Sequence, residues 1–171
     1  MQTKDIFLVI FFKITRMICS FDTTYVSILI FNFKNLNMAT ITDIEGIGPA
    51  LGDKFKATGI STVEKLLSEG ASKKGRATLA ETTGISEGKI LDFVNMADLF
   101  RIKGVAGQFA ELLKASGVDT VKELRTRNAE NLHAKLIEVN EEKNLTNAVP
   151  ALSRVEDFIS QAKELEPVVT Y

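Results

Sequence analysis

Ile44-Glu45-Gly46-Ile47-Gly48-Pro49 opens a stretch that continues through Phe55-Lys56-Ala57-Thr58-Gly59-Ile60-Ser61-Thr62-Val63 to Leu66. The chain then writes this stretch a second time. Ile102-Lys103-Gly104-Val105-Ala106-Gly107 runs on through Leu113-Lys114-Ala115-Ser116-Gly117-Val118-Asp119-Thr120-Val121 to Leu124, each pair 58 positions apart and without a gap. A repeat of this length constrains the architecture before any other feature does. Each copy opens on a glycine turn ahead of a short helix, an arrangement whose backbone N–H groups can hold an anion.

Outward from the repeat the pattern is helical. Pro49 suits a helix start, where its missing N–H costs nothing. Ala50, Leu51, Lys54, Phe55 and Ala57 follow, and Gly59 is placed to end that helix as a left-handed cap. Ser61-Thr62-Val63-Glu64 reads as a capping box for a helix reaching about Leu67. Ala71–Gly75 reads as a loop, Arg76–Thr82 as a helix, and Gly84-Ile85 as a turn. Ser86 then caps a longer helix with Ile90, Phe93, Val94 and Ala97 on one face. The second copy repeats the order, with a helix ending near Gly117, a short one capped by Asp119, and another over Ala129–Val139 that turns Leu132, Leu136 and Val139 inward. A last helix is expected from a Ser153/Glu156 capping box and carries Val155, Phe158, Ile159 and Ala162. Its Asp157-Phe158-Ile159 matches Asp92-Phe93-Val94, now at an offset of 65, because residues are added between Asn140 and Pro150. Strand-period runs are absent after Met38. The fold class expected is therefore all-α, with two tandem units, 38–98 and 99–171, packed as one compact domain. Each unit of about 60 residues would be marginal alone.

The first 37 residues have another character. They lack Ala, Gly, Glu and Pro, yet hold six of the eleven Phe. Lys13 and Arg16 interrupt the first apolar stretch, and the charge-free run Thr23–Phe33 is too short to cross a bilayer. Lys4 before Ile6–Phe12 could open a signal peptide, but no small-residue cleavage site follows. An abundance of Ile, Phe, Asn and Lys is also what AT-rich upstream DNA encodes when a start codon is set too early. Residues 1–37 are therefore read as a non-native or disordered extension, with Met38-Ala39-Thr40 as the expected beginning. Targeting and anchoring are the alternatives.

With one cysteine, Cys19, and one histidine, His133, the chain has neither a disulfide framework nor a Cys/His zinc site. No carboxylate pair, Ser-His arrangement or Walker loop stands out, so no enzyme, cofactor or metal is expected. Of 21 basic and 22 acidic side chains, residues 1–37 hold four and two. The body keeps 17 and 20, a net charge of −3. A dedicated nucleic-acid binder is usually basic overall, so such binding here would need a local patch.

The two glycine turns and the helices after them resemble the helix-hairpin-helix family. Ile44-Glu45-Gly46-Ile47-Gly48, with a helix ending Ala57-Thr58-Gly59-Ile60, is similar to the hairpin of DNA ligases, Holliday-junction proteins and DNA polymerase beta. Thr78–Ala97, through Gly84-Ile85-Ser86-Glu87, looks like a second, weaker hairpin, similar to that in the N-terminal domains of recombinases. Gly59–Leu66 looks like the connector joining such hairpins. From Thr40 to about Leu165 the body resembles small bacterial tandem helix-hairpin-helix proteins catalogued as a domain of unknown function. The resemblance implies a cytoplasmic, non-catalytic protein that binds DNA or another nucleic acid weakly through its backbone, without reading sequence and without a membrane. It also implies that the amides of Gly46, Ile47 and Gly48 hold phosphate oxygens, with Lys54, Lys56, Arg101, Lys103 and Gly104 completing the interface.

The chain departs from that pattern. DNA-binding hairpins place Lys or Arg shortly after the second glycine, where this chain has Pro49, Ala50 and Leu51. The second copy has Ala106 in place of that glycine, followed by Gln108, and Glu87 opens the weaker hairpin's helix. A protein-interaction adaptor with degenerate hairpins is the alternative function. Smaller readings stay paired as well. The turns could be only tight helix connections, with Ile47 and Val105 as core plugs. Lys73-Lys74-Gly75-Arg76 could touch phosphate or form a solvated loop. The apolar tail Pro167–Tyr171 could dock on the body or serve as a linear motif for a partner.

Overall fold

The computed structural model describes residues 39–171, so the expectations for residues 1–37 lie outside the described residues. A short 3-10 turn, Ile41–Asp43, precedes eight α-helices: α1 Pro49–Ala57, α2 Val63–Gly70, α3 Lys73–Thr83, α4 Glu87–Leu99, α5 Gly107–Ala115, α6 Val121–Leu124, α7 Ala129–Lys143 and α8 Leu152–Glu164. There is no strand among the described residues, only an isolated bridge between Thr40 and Thr62. Residues Ala39–Tyr171 form one compact all-α unit.

The repeated stretch adopts one backbone twice. Gly46 and Gly104 have φ of +85° and +90°, and Gly59 and Gly117 have +83° and +81°. An L side chain rarely adopts that region, which is why glycine recurs at these places. After Gly59 and Gly117 the chain enters a helix through threonine. Thr62 accepts a hydrogen bond from the Lys65 N–H, and Thr120 accepts one from the Glu123 N–H. The caps are thus one residue beyond those expected at Ser61 and Asp119. The Ser61 carbonyl instead accepts the Ile41 N–H at 3.0 Å, and the Asp119 N–H donates to the Glu123 carboxylate at 2.9 Å.

Each copy fills a core of its own. The first gathers Ile41, Ile44, Ile47, Phe55, Ile60, Val63 and Leu66 with Ile90, Phe93, Val94 and Ala97 of α4. The second gathers Leu99, Ile102, Val105, Leu113, Val118, Val121 and Leu124 with Leu132, Leu136 and Val139 of α7 and Val155, Phe158 and Ile159 of α8. The last turn of α4 lies between the cores: Ala97 belongs to the first, and Leu99 to the second. At this junction Asp98 is buried, its carboxylate accepting from Arg101 at 2.8 Å and from the Val121 N–H at 2.9 Å. In the first copy the equivalent Val63 N–H goes to the Ala39 carbonyl at 3.0 Å. A carboxylate therefore does in the second copy what a backbone carbonyl does in the first.

Two helix boundaries differ from the sequence expectation. The expected loop Ala71–Gly75 is largely the first turn of α3. Ser72 caps it by accepting from the Gly75 N–H at 3.0 Å, and a Cβ on residue 75 would run into the Glu69 carbonyl. That close approach, invisible in the sequence, lets α3 fold back against α2. Helix α8 begins after Ala151 with no side-chain cap, so the Ser153/Glu156 box does not form.

The tail docks rather than projecting as a motif. Val169 is buried in the first core, and the Thr170 N–H donates to the Ala71 carbonyl at 2.9 Å. Arg76, only 2% exposed, donates to the carbonyls of Gly70, Ala71 and Thr170. The run Lys73–Arg76 is therefore split. Its two lysines are exposed on α3, and its arginine is part of the interior.

Candidate functional site

In both copies the turn closes on itself. The Ile47 N–H donates to the Ile44 carbonyl at 3.0 Å, and the Val105 N–H donates to the Ile102 carbonyl at 3.0 Å. Both side chains plug the core, at 3% and 5% exposure. This corrects one assignment carried over from the resemblance: the Ile47 amide is spent inside the turn and has no donor left for a phosphate.

What surrounds the two turns differs. At the first, Gly46 and Gly48 are exposed, and a Cβ on residue 48 would meet nothing within 4 Å. Among the described residues no acceptor takes the amides of Gly48, Ala50 or Leu51, which stand at the start of α1. The positive end of the helix dipole adds to their pull on an anion. Lys54 and Lys56 are exposed but sit on the last turn of α1, about 9–12 Å along the axis from Gly48 at about 1.5 Å per residue. Lys56 lies 3.7 Å from Asp53. Cations at that end also suit the helix dipole, so these two lysines border the turn rather than line it.

At the second turn Gly104 and Ala106 are exposed too, but a side chain occupies the space beside Gly104. The Arg154 guanidinium from α8 lies against Gly104, in the space a Cβ would fill. Gln161 clamps the backbone beside it, accepting from the Lys103 N–H at 2.8 Å and donating to the Lys103 carbonyl at 3.4 Å. The start of α5 is shielded as well, since a Cβ on Gly107 would stand 2.7 Å from the Asp43 carbonyl oxygen. The same contact places the two turns side by side. Arg101, expected to face phosphate, is held by Asp98 and donates to the Glu166 carbonyl at 3.0 Å. Its guanidinium is mostly committed to the fold. Even so, Arg101 and Lys103 line one open cleft of about 460 Å³ together with Arg154, Asp157, Gln161, Glu164 and Leu165.

The structure thus brings together Arg101, Lys103 and Gly104 of the expected set and leaves Gly46 and Gly48 at the neighbouring turn. Reading the sequence missed Arg154 and Gln161, because nothing local announces that α8 returns over residues 103–104. The offset of 65 already noted at Asp157-Phe158-Ile159 was the available signal, for it also pairs Arg154 with Lys89.

Carboxylates at the first turn would oppose an anion there. Glu45 is exposed within it, and its charge reaches Glu111 on α5. Partial burial first, and the Glu45 charge second, raise the Glu111 carboxyl above its ordinary value of 4.5, while Lys114 pulls it down. No group of three or more metal-ligating side chains occurs among the described residues, and none of the described helices is long and apolar enough to cross a membrane.

A family model for a domain of unknown function, DUF4332, matches residues 45–165, which include the glycines of both turns and all eight helices, and the chain belongs to that family. No curated protein and no solved structure matches the chain significantly.

Proposed function

We propose that this member of the DUF4332 family is a non-catalytic binder of nucleic-acid backbone, with DNA as its first ligand, and that each copy of the repeat is a helix-hairpin-helix unit. The observation that carries this reading is the first turn. Its glycines leave the backbone uncovered, and the amides of Gly48, Ala50 and Leu51 point from the start of α1 without acceptors among the described residues. Such a site recognises a phosphate oxygen by position and charge and is blind to the base, which suits sequence-independent binding. The cleft at the second turn adds Lys103, Arg154 and part of Arg101 nearby. Lys54 and Lys56 act as peripheral cations. The adaptor alternative has less support: among the large apolar side chains described only Ile137 and Tyr171 are exposed, too few for a broad docking patch.

The test is a titration of the protein with duplex, branched and single-stranded DNA and with RNA at about 50 mM salt, where such contacts are little screened. Weak binding without sequence preference is expected, with log affinity falling against log salt at a slope of about −2 to −4, as a few phosphate contacts give. Gly48→Val should leave the fold intact, because φ is −75° there and the space is open, yet it should weaken binding by blocking backbone approach. No binding to any of these nucleic acids would remove the proposal.

A further inference from the structure

In both copies of the repeat the closing helix sets a cation over a buried ring close to the glycine turn; in the second copy the cation itself touches the glycine, and in the first the ring does. In the second, Arg154 lies over the Phe158 ring, 5.3 Å from its centroid, and its guanidinium rests on Gly104. In the first, Lys89 lies over the Phe93 ring at 5.8 Å, and the Phe93 edge stands 3.5 Å from where a Gly46 Cβ would be. The two pairs are in register at the offset of 65 that relates α4 to α8, and both rings are buried, at 3% and 1% exposure. A buried ring under an exposed cation holds the charge at one place, and the attraction to the ring face assists.

We infer that Lys89 and Arg154 are the principal phosphate-contacting side chains of the two turns, supplied from the closing helix of each unit. They take the place of the Lys or Arg that the sequence lacks after Gly48 and Ala106. The inference rests on the reading of the turns as nucleic-acid contacts. Their other engagements are weak. Among the described residues no carboxylate lies within 4.0 Å of the Lys89 ammonium, and Arg154 meets only Asp157 of its own helix, at 3.8 Å, with its side chain half exposed. Asp157 and Glu164 share the cleft with Arg154 and limit the net attraction there. Arg154 nonetheless presents a planar fork that matches two phosphate oxygens, whereas Lys89 presents a point charge.

The experiment compares the unmodified chain with Lys89→Ala, Arg154→Ala, the double variant, and a Lys54→Ala/Lys56→Ala control, each titrated with a duplex of mixed sequence from about 50 to 200 mM salt. The double variant should keep the thermal midpoint within a few degrees. It should lose at least tenfold in affinity at the lowest salt, with the salt slope shallower by about 1.8, or about 0.9 for each cation removed. The control should lose less. Arg154→Lys should keep the slope while weakening affinity. If the unmodified chain binds and the double variant keeps its affinity, or loses affinity with no change of slope, this inference fails and the reading of the turns stands. If the unmodified chain does not bind, both fail.

Discussion

Glu111 carries a carboxylate that the fold disfavours. Partial burial and the facing charge of Glu45 raise its pKa above 4.5, so the folded state holds this proton more tightly than the unfolded chain does. Stability from this group is then fully present below the unfolded pKa and is lost as pH rises through the raised folded value. At neutral pH the charged form is a small liability. Glu111→Gln should therefore raise the thermal midpoint at pH 7 and lose that advantage as pH falls below about 4.5, where the native carboxyl is itself neutral. Melting curves of both proteins across pH 3.5–7.5 check this, and a variant less stable at pH 7 would contradict it. Under the proposed function the same substitution should also strengthen DNA binding at low salt, since it removes a negative charge beside the first turn. Neither effect was legible in the sequence, where Glu45 and Glu111 are ordinary surface glutamates 66 positions apart.

Helices were the most legible part of the chain, because apolar spacing and glycine caps are local signals. Phe55 and Leu113, set at equivalent places by the repeat, are 0% and 2% exposed, as the 58-residue offset predicts. Phe55 packs edge-on against Phe93 at 6.2 Å between centroids, which ties α1 to α4. Truncating Phe55 or Leu113 to Ala should cost about 2–5 kcal/mol, the transfer term plus the cavity left in a packed core. Denaturant titration measures it, and losses within about 0.5 kcal/mol at both positions would mean that the two helices are not equivalent core elements. Caps were less legible where two candidates adjoin. Ser61 and Thr62 both suit an N-cap, and the choice falls to Thr62 because the Ser61 carbonyl is claimed by Ile41 across the chain. The start of α3 was missed for a related reason. Lys73-Lys74-Gly75 looks like a loop until Gly75 is seen to admit the Glu69 carbonyl, a contact only the folded chain contains. At the candidate site the turns could be read from their glycines, but the side chains set beside the second could not. Arg154 reaches Gly104 from 50 positions away, and Gln161 reaches Lys103 from 58.

Two cores meet at the end of α4 and beside the two turns, and the C-terminal tail is placed to hold them together. After α8 closes the second core, the chain returns to the first. Arg101 holds the Glu166 carbonyl, Arg76 holds the Thr170 carbonyl at 2.8 Å, and Val169 enters the first core between them. Arg76 has no carboxylate partner among the described residues. Its buried charge depends on backbone carbonyls, one of which the tail supplies. Removing residues 167–171 should expose the apolar seat of Val169 and strip an acceptor from a buried guanidinium. Burial of one valine is worth about 1.5–3 kcal/mol, and a hydrogen bond to a charged group about 1.5–3 kcal/mol. Because the vacated seat opens to water, which can replace the lost carbonyl, the net loss should fall near about 2–4 kcal/mol. Arg76→Lys keeps the charge but has no fork to reach Ala71 and Thr170 together, so it should destabilise in the same direction by less. Chemical denaturation of the full chain, the shortened chain and Arg76→Lys checks this. A midpoint unmoved by loss of the tail would show that the docked tail contributes nothing to holding the two cores as one body.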